Sequence, residues 1–164
     1  MKKRFSALAA GVLTLGLVGG GTLAAQARPV PHELWQVTHV GAAHTTYGVW
    51  RPCYQVTPRK TTFVATCTVS RSVTNTVTGS LEVSYEVLNA KVGFNTTKST
   101  TATGGGQYTV RAGSGGTIFW RPIYSTRDVT QTHYRYDLQG RRTVLGAAVV
   151  HASKYVTLTT KYTR

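Results

Sequence analysis

The feature that most constrains the fold of this chain is an alternation of polar and apolar residues from Thr66 to Glu86. Every even-numbered position in this stretch is polar. The odd-numbered positions are mostly apolar, interrupted by Arg71, Asn75 and Gly79. Because successive side chains of a strand point to opposite faces, a period of two predicts β-structure with one solvated and one buried face.

A single strand of this length does not fit inside a small compact domain. The 21 residues would span about 70 Å at ~3.3 Å per residue, whereas a domain of ~140 residues has a radius of gyration of roughly 14 Å. The sequence therefore predicts either an elongated molecule or a strand that folds back at Asn75 or at Thr78-Gly79.

The first 27 residues have the organisation of a secretory signal peptide. A basic start is followed by an apolar stretch from Leu8 to Val18 and a small-x-small cleavage site at Ala25-Gln26-Ala27. A membrane anchor is the less favoured alternative, because the stretch is short and rich in glycine. We therefore predict a secreted, extracellular protein whose mature chain starts at Arg28 and has 137 residues, enough for one domain.

The mature chain is strongly basic. Without the leader it has 16 Lys or Arg residues and 5 Asp or Glu residues, a formal charge of +11. This charge favours anionic partners such as cell-wall polymers, phospholipid head groups or an acidic protein surface. Nucleic acid is the least expected partner of an exported protein, and ordinary surface solubility is the alternative explanation of the charge.

Cys53 and Cys67 are predicted to form a disulfide, since an exported protein meets an oxidising environment. The segments 49–56 and 63–69 resemble strands, and residues 57–61 resemble a turn. A hairpin centred at Lys60 would place the two cysteines opposite each other, at a separation that suits a bridge.

Residues 28–47 are predicted to form an extended N-terminal arm, and residues 48–164 a single β domain. The arm carries apolar side chains that are costly to leave in water and that would dock on its own body or on a protein partner. The candidate partner-binding residues are Pro29, Leu34, Trp35, Val37, Val40 and Tyr47.

A short motif occurs twice, as Val49-Trp50-Arg51-Pro52-Cys53-Tyr54 and as Phe119-Trp120-Arg121-Pro122-Ile123-Tyr124. Proline cannot donate to a β-ladder, so each copy is predicted to lie in an edge strand or at a bulge. The repeated Trp and Arg residues are candidate surface contacts, with packing of both Trp side chains in the core as the alternative.

The remaining pattern predicts an all-β fold of about eight antiparallel strands, either a sandwich or an elongated twisted sheet, with essentially no helix. Even-numbered apolar residues from Leu88 to Phe94 predict a strand that continues past a bulge near Val87. Gly104-Gly105-Gly106 is expected to interrupt a strand. Threonine supplies 28 of the 164 residues, which suits pleated surfaces.

No motif marks a reaction centre, so no catalytic, cofactor-binding or metal-binding residue is assigned. Glu82 and Glu86 would lie roughly 13 Å apart on one strand, too far apart for a paired-carboxylate hydrolase. A triad combining His133 or His151 with an aspartate lacks a marked nucleophile. Lone histidines such as His39 and His44 are more often surface residues than metal ligands. A non-enzymatic protein is expected.

The block Ser70–Tyr124 resembles the aerolysin-type β pore-forming module. The resemblance rests on the Ser/Thr-alternating segment 70–79, the run 83–94, the Thr-rich residues 95–103 and the segments 108–113 and 117–124. It implies long curved strands and a Ser/Thr-rich amphipathic segment that inserts into membranes as a hairpin. The mature chain is about half the usual length of that family.

The layout also resembles the small adaptor component of actinobacterial umbrella toxin particles. That resemblance implies a secreted, non-enzymatic protein of an extracellular antibacterial toxin complex. Such a protein would bind one protein partner with its N-terminal segment and another with its body. The alternatives are a small pore-forming or membrane-active protein and a module that binds the cell envelope or inhibits an enzyme.

Overall fold

A computed structural model describes residues 30–164, so the leader and Pro29 lie outside the described residues. Eight strands and one helix occur in the described part. They are β1 (His32–Val40), β2 (His44–Tyr47), β3 (Arg51–Val56), β4 (Phe63–Thr74), β5 (Thr76–Thr78), α1 (Tyr85–Val92), β6 (Ser99–Val110), β7 (Gly116–Tyr136) and β8 (Arg142–Thr163). The prediction of an all-β single domain with about eight antiparallel strands is confirmed.

The fold is organised around one long antiparallel pair. The strands β7 and β8 have 21 and 22 residues and pair from Thr117↔Thr163 to Tyr136↔Arg142. The turn between them is closed by Asp137, whose carboxylate accepts hydrogen bonds from the backbone N–H groups of Gln139 and Arg141. At ~3.3 Å per residue this pair is about 70 Å long, so the sheet is elongated.

The chain before residue 57 runs antiparallel along the other edge of β7. Strand β1 pairs with its C-terminal part, β2 with its middle and β3 with its beginning. The predicted arm 28–47 therefore contains two strands of the main sheet in its described part. The lack of an amide proton at Pro122 is tolerated because it falls where β2 ends, and there the Gly48 N–H donates to the Pro122 carbonyl.

A second layer covers one half of this sheet. The strands β4 and β6 pair from Phe63↔Val110 to Thr74↔Ser99 and bury a core against β3, β7 and β8. The apolar odd-numbered residues of β4 face this core, as the alternation predicts. The fully or nearly buried members of the core are Val56, Ala65, Cys67, Val69, Val73, Ala102, Val110, Ile118 and Trp120.

The predicted fold-back occurs at Asn75. Its side-chain amide donates to the Asn95 carbonyl, and its side-chain oxygen accepts from the Tyr155 N–H. These bonds hold the chain at the point where it leaves the second layer. Strand β5 then pairs with β8 in the main sheet, and Gly79 follows with a φ of 103°, in the region that favours glycine.

The predicted strand across residues 88–94 is wrong, because Tyr85–Val92 form a helix. The Ser84 side chain caps its first turn by accepting from the Val87 N–H, and Gly93 ends it with a φ of 81°. Leu88 and Val92 lie four residues apart on one helical face and are buried against Val129 and Val150 of the main sheet. The helix is only eight residues long, so the two apolar positions also fit an alternating pattern.

The predicted disulfide between Cys53 and Cys67 is confirmed, with a Cα–Cα distance of 5.9 Å. The predicted hairpin around it is wrong, because β3 pairs with β7 whereas β4 pairs with β6. The bridge instead joins the two layers across the core. Closing a loop of this length contributes about 3 kcal/mol in the chain-entropy model.

The three glycines 104–106 lie within β6 and do not interrupt it. Their small size lets two strands approach this segment closely. A Cβ atom at Gly105 would lie 2.0 Å from the Cys67 carbonyl oxygen, and one at Gly106 would lie 2.3 Å from the Thr160 hydroxyl. Close packing against β4 and β8 therefore explains why Gly105 and Gly106 have no side chain.

No helix in residues 30–164 is long and apolar enough to cross a membrane.

Candidate functional site

The two copies of the Trp-Arg-Pro motif lie beside each other in opposite directions. Arg51 of β3 is in register with Trp120 of β7, so the antiparallel register places Trp50 beside Arg121. The Arg51 guanidinium lies 5.7 Å from the centre of the Trp120 ring, and the Arg121 guanidinium lies 4.4 Å from the centre of the Trp50 ring. Since neighbouring residues point to opposite faces, the motif forms one Arg–Trp pair on each side of the sheet.

The inner pair belongs to the core. Trp120 is 4% exposed, so its predicted role as a surface contact is wrong and the alternative of core packing holds. The exposed Arg51 lines a cavity of about 270 Å³ between the two layers, together with Ser72, Thr74 and Tyr124. Arg51 thus remains available to solvent beside polar hydroxyl groups.

The outer pair is part of a longer stack, which we call the cation–aromatic ladder. It consists of Tyr47, Arg121, Trp50, Lys161 and Phe119. The Arg121 guanidinium lies 4.0 Å from the centre of the Tyr47 ring, and the Lys161 Nζ lies 4.5 Å and 5.9 Å from the centres of the Trp50 and Phe119 rings. Each such contact contributes about 0.5–2 kcal/mol, depending on desolvation.

The cations of the ladder have no ion-pair partner among residues 30–164. Among the described residues, ion pairs join Glu33 to His133 and Arg135, Asp137 to Arg141, and Asp128 to His151. None involves Arg121, Lys161 or Arg51. In addition, the Nε of Arg121 is buried without a hydrogen-bond partner, an arrangement that costs roughly 1–3 kcal/mol.

Charge is divided unequally between the two ends of the molecule. We define the sandwich half as residues 44–78, 95–127 and 152–164, and the helix half as residues 30–43, 79–94 and 128–151. The sandwich half has eleven Lys or Arg residues and no acidic residue, whereas the helix half has four basic and all five acidic residues. The excess positive charge of the described chain therefore lies entirely on the half that carries the ladder.

The candidate partner-binding residues of the arm lie along the main sheet. Leu34, Trp35, Val37 and Val40 are half-buried on β1, and the Trp35 ring stacks on the His133 ring at a centroid distance of 4.7 Å. Val37 and Val40 pack with the helix cluster. Tyr47 is 55% exposed in β2 and contacts Arg121.

Both outer edges of the sheet are open in the helix half of the described chain. Strand β1 pairs only with β7, and β8 pairs only with β7 from Arg142 to Val150, because β5 covers just residues 151–153. The open stretch of β8 reads Thr143-Val144-Leu145-Gly146-Ala147-Ala148-Val149 and contains no charged residue. Val144, Leu145 and Val149 are 60%, 41% and 50% exposed. An uncharged, exposed edge strand is a template for strand addition.

The histidines and carboxylates that could take part in catalysis form pairs on the surface. His151 Nδ1 donates to Asp128 at 2.7 Å, and this bond holds the pKa of the Asp128 carboxyl below its ordinary value. The lowered pKa of Asp128 stabilises the folded state at pH values above the pKa that this carboxyl has in the unfolded chain. The stabilisation is lost as the pH falls through the pKa of the carboxyl in the folded state. No hydroxyl group within residues 30–164 bonds to the other ring nitrogen of His151. Glu86 is on the helix, and Glu82 lies before it.

No group of three potential metal ligands occurs in the part of the chain that the structure describes. Comparison of the chain with protein-family models, with curated proteins and with solved structures gave no match.

Sequence reasoning identified Tyr47, Trp50 and Arg121 but missed the other two members of the ladder. Phe119 and Lys161 become neighbours only because β7 and β8 pair in the register Phe119↔Lys161. The repeated motif was the signal that two strands have related environments, but it does not indicate that β8 adds a second cation.

Proposed function

We propose that this protein is an exported, non-enzymatic adaptor that joins two protein partners, as in an extracellular antibacterial toxin complex. The observation that carries the proposal is the pair of open sheet edges in the helix half. An adaptor needs two separate contact surfaces. Among residues 30–164, the three-stranded segment β1–β7–β8 has one outer strand on each side whose outer edge is unpaired, and so offers two such surfaces.

The two edges differ in chemistry, which favours two different partners. The β8 edge is apolar and uncharged between residues 143 and 149. The β1 edge includes Glu33, which binds His133 and Arg135, and two half-buried apolar residues, Leu34 and Trp35. Export is supported by the leader pattern of residues 1–27 and by the disulfide, since disulfides persist in oxidising compartments.

We expect substitution of the β8 edge to release the protein from its complex. Val144→Lys combined with Val149→Lys places charges on the strand that a partner would pair with, at two exposed positions where monomer stability is little affected. Size-exclusion chromatography of the tagged chain, secreted by its own producing cells, should show a species well above 17.7 kDa for the wild type. The double variant should elute as a monomer.

The matched control is Val64→Lys combined with Val156→Lys. Both valines are 58% exposed and lie outside the open edges of the helix half, so the change in charge is the same and the change in exposed apolar surface is similar. This variant should remain in the large species. A monomeric wild type, or equal release of both variants, would contradict the proposal.

A small pore-forming protein is the second candidate, favoured by the segment Gly79–Lys98. This segment contains α1 and lies between β5 and β6, so it is flanked by strands with exposed Ser and Thr side chains. It rests on the sheet through Leu88 and Val92. In a pore-former, the segment Gly79–Lys98 would detach from the sheet and refold as an extension of β5 and β6.

Release of dye from anionic vesicles by micromolar protein measures this second activity. A pore-former should release the dye and form a ring of identical copies, whereas an adaptor should release none and form a complex with a different protein. No release at micromolar concentration would contradict the pore-forming candidate.

A further inference from the structure

We propose that the cation–aromatic ladder is a binding site for an anionic glycan, a sugar polymer that carries sulfate, phosphate or carboxylate groups. The site is on the sandwich half and does not depend on the open edges of the helix half. It is therefore a further activity, independent of the proposed adaptor role.

The cations of the ladder are held in place by aromatic rings and are not neutralised by an acidic side chain of residues 30–164. Arg121 and Lys161 both lie within 4.5 Å of the centre of the Trp50 ring, so they are at most about 9 Å apart. The aromatic rings fix their positions, which reduces the entropy that a ligand must overcome on binding. Since the sandwich half has no Asp or Glu residue, no acidic side chain within it competes with an incoming anion.

The surface of β8 beside the ladder carries a row of hydroxyl groups. Lys161 shares one face of β8 with Thr157, Thr159 and Thr163, since residues two apart lie on the same side of a strand. These hydroxyl groups occur about every 7 Å along the strand. An extended row of hydroxyl groups and cations can form hydrogen bonds and ion pairs with a polymer that carries both hydroxyl and anionic groups along its length.

The ladder fits nucleic acid and membranes less well than it fits a glycan. Binding of single-stranded nucleic acid uses free ring faces on which bases stack. In the ladder, Arg121 covers one face of the Tyr47 ring, and both Arg121 and Lys161 contact the Trp50 ring, which leaves less ring surface for bases to stack on. Binding to the interior of a membrane uses exposed apolar side chains, whereas the neighbours of Lys161 on its own face of β8 are Thr159 and Thr163. A hydrophilic glycan fits this surface better than either.

The test compares two double variants of equal net charge. Arg121→Gln with Lys161→Gln removes both ladder cations, whereas Arg71→Gln with Arg111→Gln removes two exposed cations of the sandwich half that are outside the ladder. We expect dextran sulfate to bind the wild type and uncharged dextran not to bind. The ladder variant should bind at least tenfold more weakly and the control less than threefold more weakly, with binding of the wild type decreasing as salt increases.

The single variant Lys161→Glu is a control for loss of binding through misfolding, because the Lys161 side chain is exposed and its replacement should leave the fold intact. Its circular dichroism spectrum should match the wild type while its affinity for dextran sulfate falls by at least the same factor. Equal losses in the ladder and control variants would overturn the proposal, because they would indicate unspecific attraction. Tighter binding of phosphatidylglycerol vesicles or single-stranded DNA than of dextran sulfate, lost in the same variants, would overturn the assignment to a glycan.

Discussion

Replacement of Trp120 by Ala is expected to lower the free energy of unfolding by about 3–5 kcal/mol, the usual range for a buried Trp. Trp120 is 4% exposed and lies in the cluster that joins the two layers, with Val69, Val73 and Ile118. Small domains are stable by about 5–15 kcal/mol in total. The variant should therefore lose a large fraction of its stability, as measured by urea unfolding followed by circular dichroism.

Trp50→Ala is the matched control, since the same residue type occupies the other copy of the motif. Trp50 is half-buried on the outer face, where it contacts Arg121 and Lys161 but not the core between the layers. Its removal should cost about 1–2 kcal/mol through the loss of its cation–aromatic contacts. Equal losses for the two substitutions would contradict the register that places one Trp on each face.

The strands could be predicted from the sequence wherever one face is buried against a neighbour. The alternation in β4 is read correctly because Ala65, Cys67, Val69 and Val73 all meet the same core. Asn75 was one of the two fold-back points predicted from the length of the alternating stretch, and it is the position where the apolar alternation is interrupted by a polar residue that is buried in the structure. The pairing of Cys53 with Cys67 could be predicted because they are the two cysteines of the chain and because the leader pattern predicts export to an oxidising environment.

Which strands are neighbours could not be predicted in the same way. The hairpin expected around Lys60 required β3 and β4 to pair, but both strands have an apolar face that suits pairing within a layer or packing between layers. In the structure β3 pairs with β7 and β4 with β6. A pattern of period two states which face is buried and does not state which partner buries it.

The helix was missed because its apolar positions are few. Leu88 and Val92 satisfy both a spacing of four and an alternation of two. The residues that distinguish a helix from a strand here lie at the two ends of the segment, where Ser84 caps the first turn and Gly93 adopts a left-handed conformation. The ladder was found only in part, because Lys161 is 40 residues from Arg121 along the chain and the two meet through the pairing of β7 with β8.

Replacement of Gln131 by Leu is expected to detach the segment before the helix, at a cost of roughly 3 kcal/mol or more. Gln131 is completely buried in β7. Its side-chain oxygen accepts hydrogen bonds from the N–H groups of Glu82 and Val83, at 2.9 and 3.0 Å, and its amide donates to the Ser80 carbonyl at 3.0 Å. Leucine leaves these three backbone groups without partners, each at a cost of roughly 1–3 kcal/mol if they stay buried.

The loss should be local, because Gln131 connects one segment to the sheet. Hydrogen exchange of the amides from Ser80 to Val92 should accelerate strongly, while exchange in β4 and β6 remains as in the wild type. Gln55→Leu is the matched control, since Gln55 is an exposed residue of β3, and exchange in this variant should not change. Unchanged exchange near Ser80 in Gln131→Leu would contradict the role of Gln131 as the anchor.

The same variant separates the two candidate functions. If the segment Gly79–Lys98 leaves the sheet to enter a membrane, its release by Gln131→Leu should increase the rate of dye release from anionic vesicles above that of the wild type. If the protein is an adaptor, the segment opens without any dye release, and the elution position of the secreted complex stays the same because the β8 edge from Arg142 to Val150 is intact. Faster exchange without dye release would thus exclude insertion of this segment and leave the open edges as the surfaces that define the function.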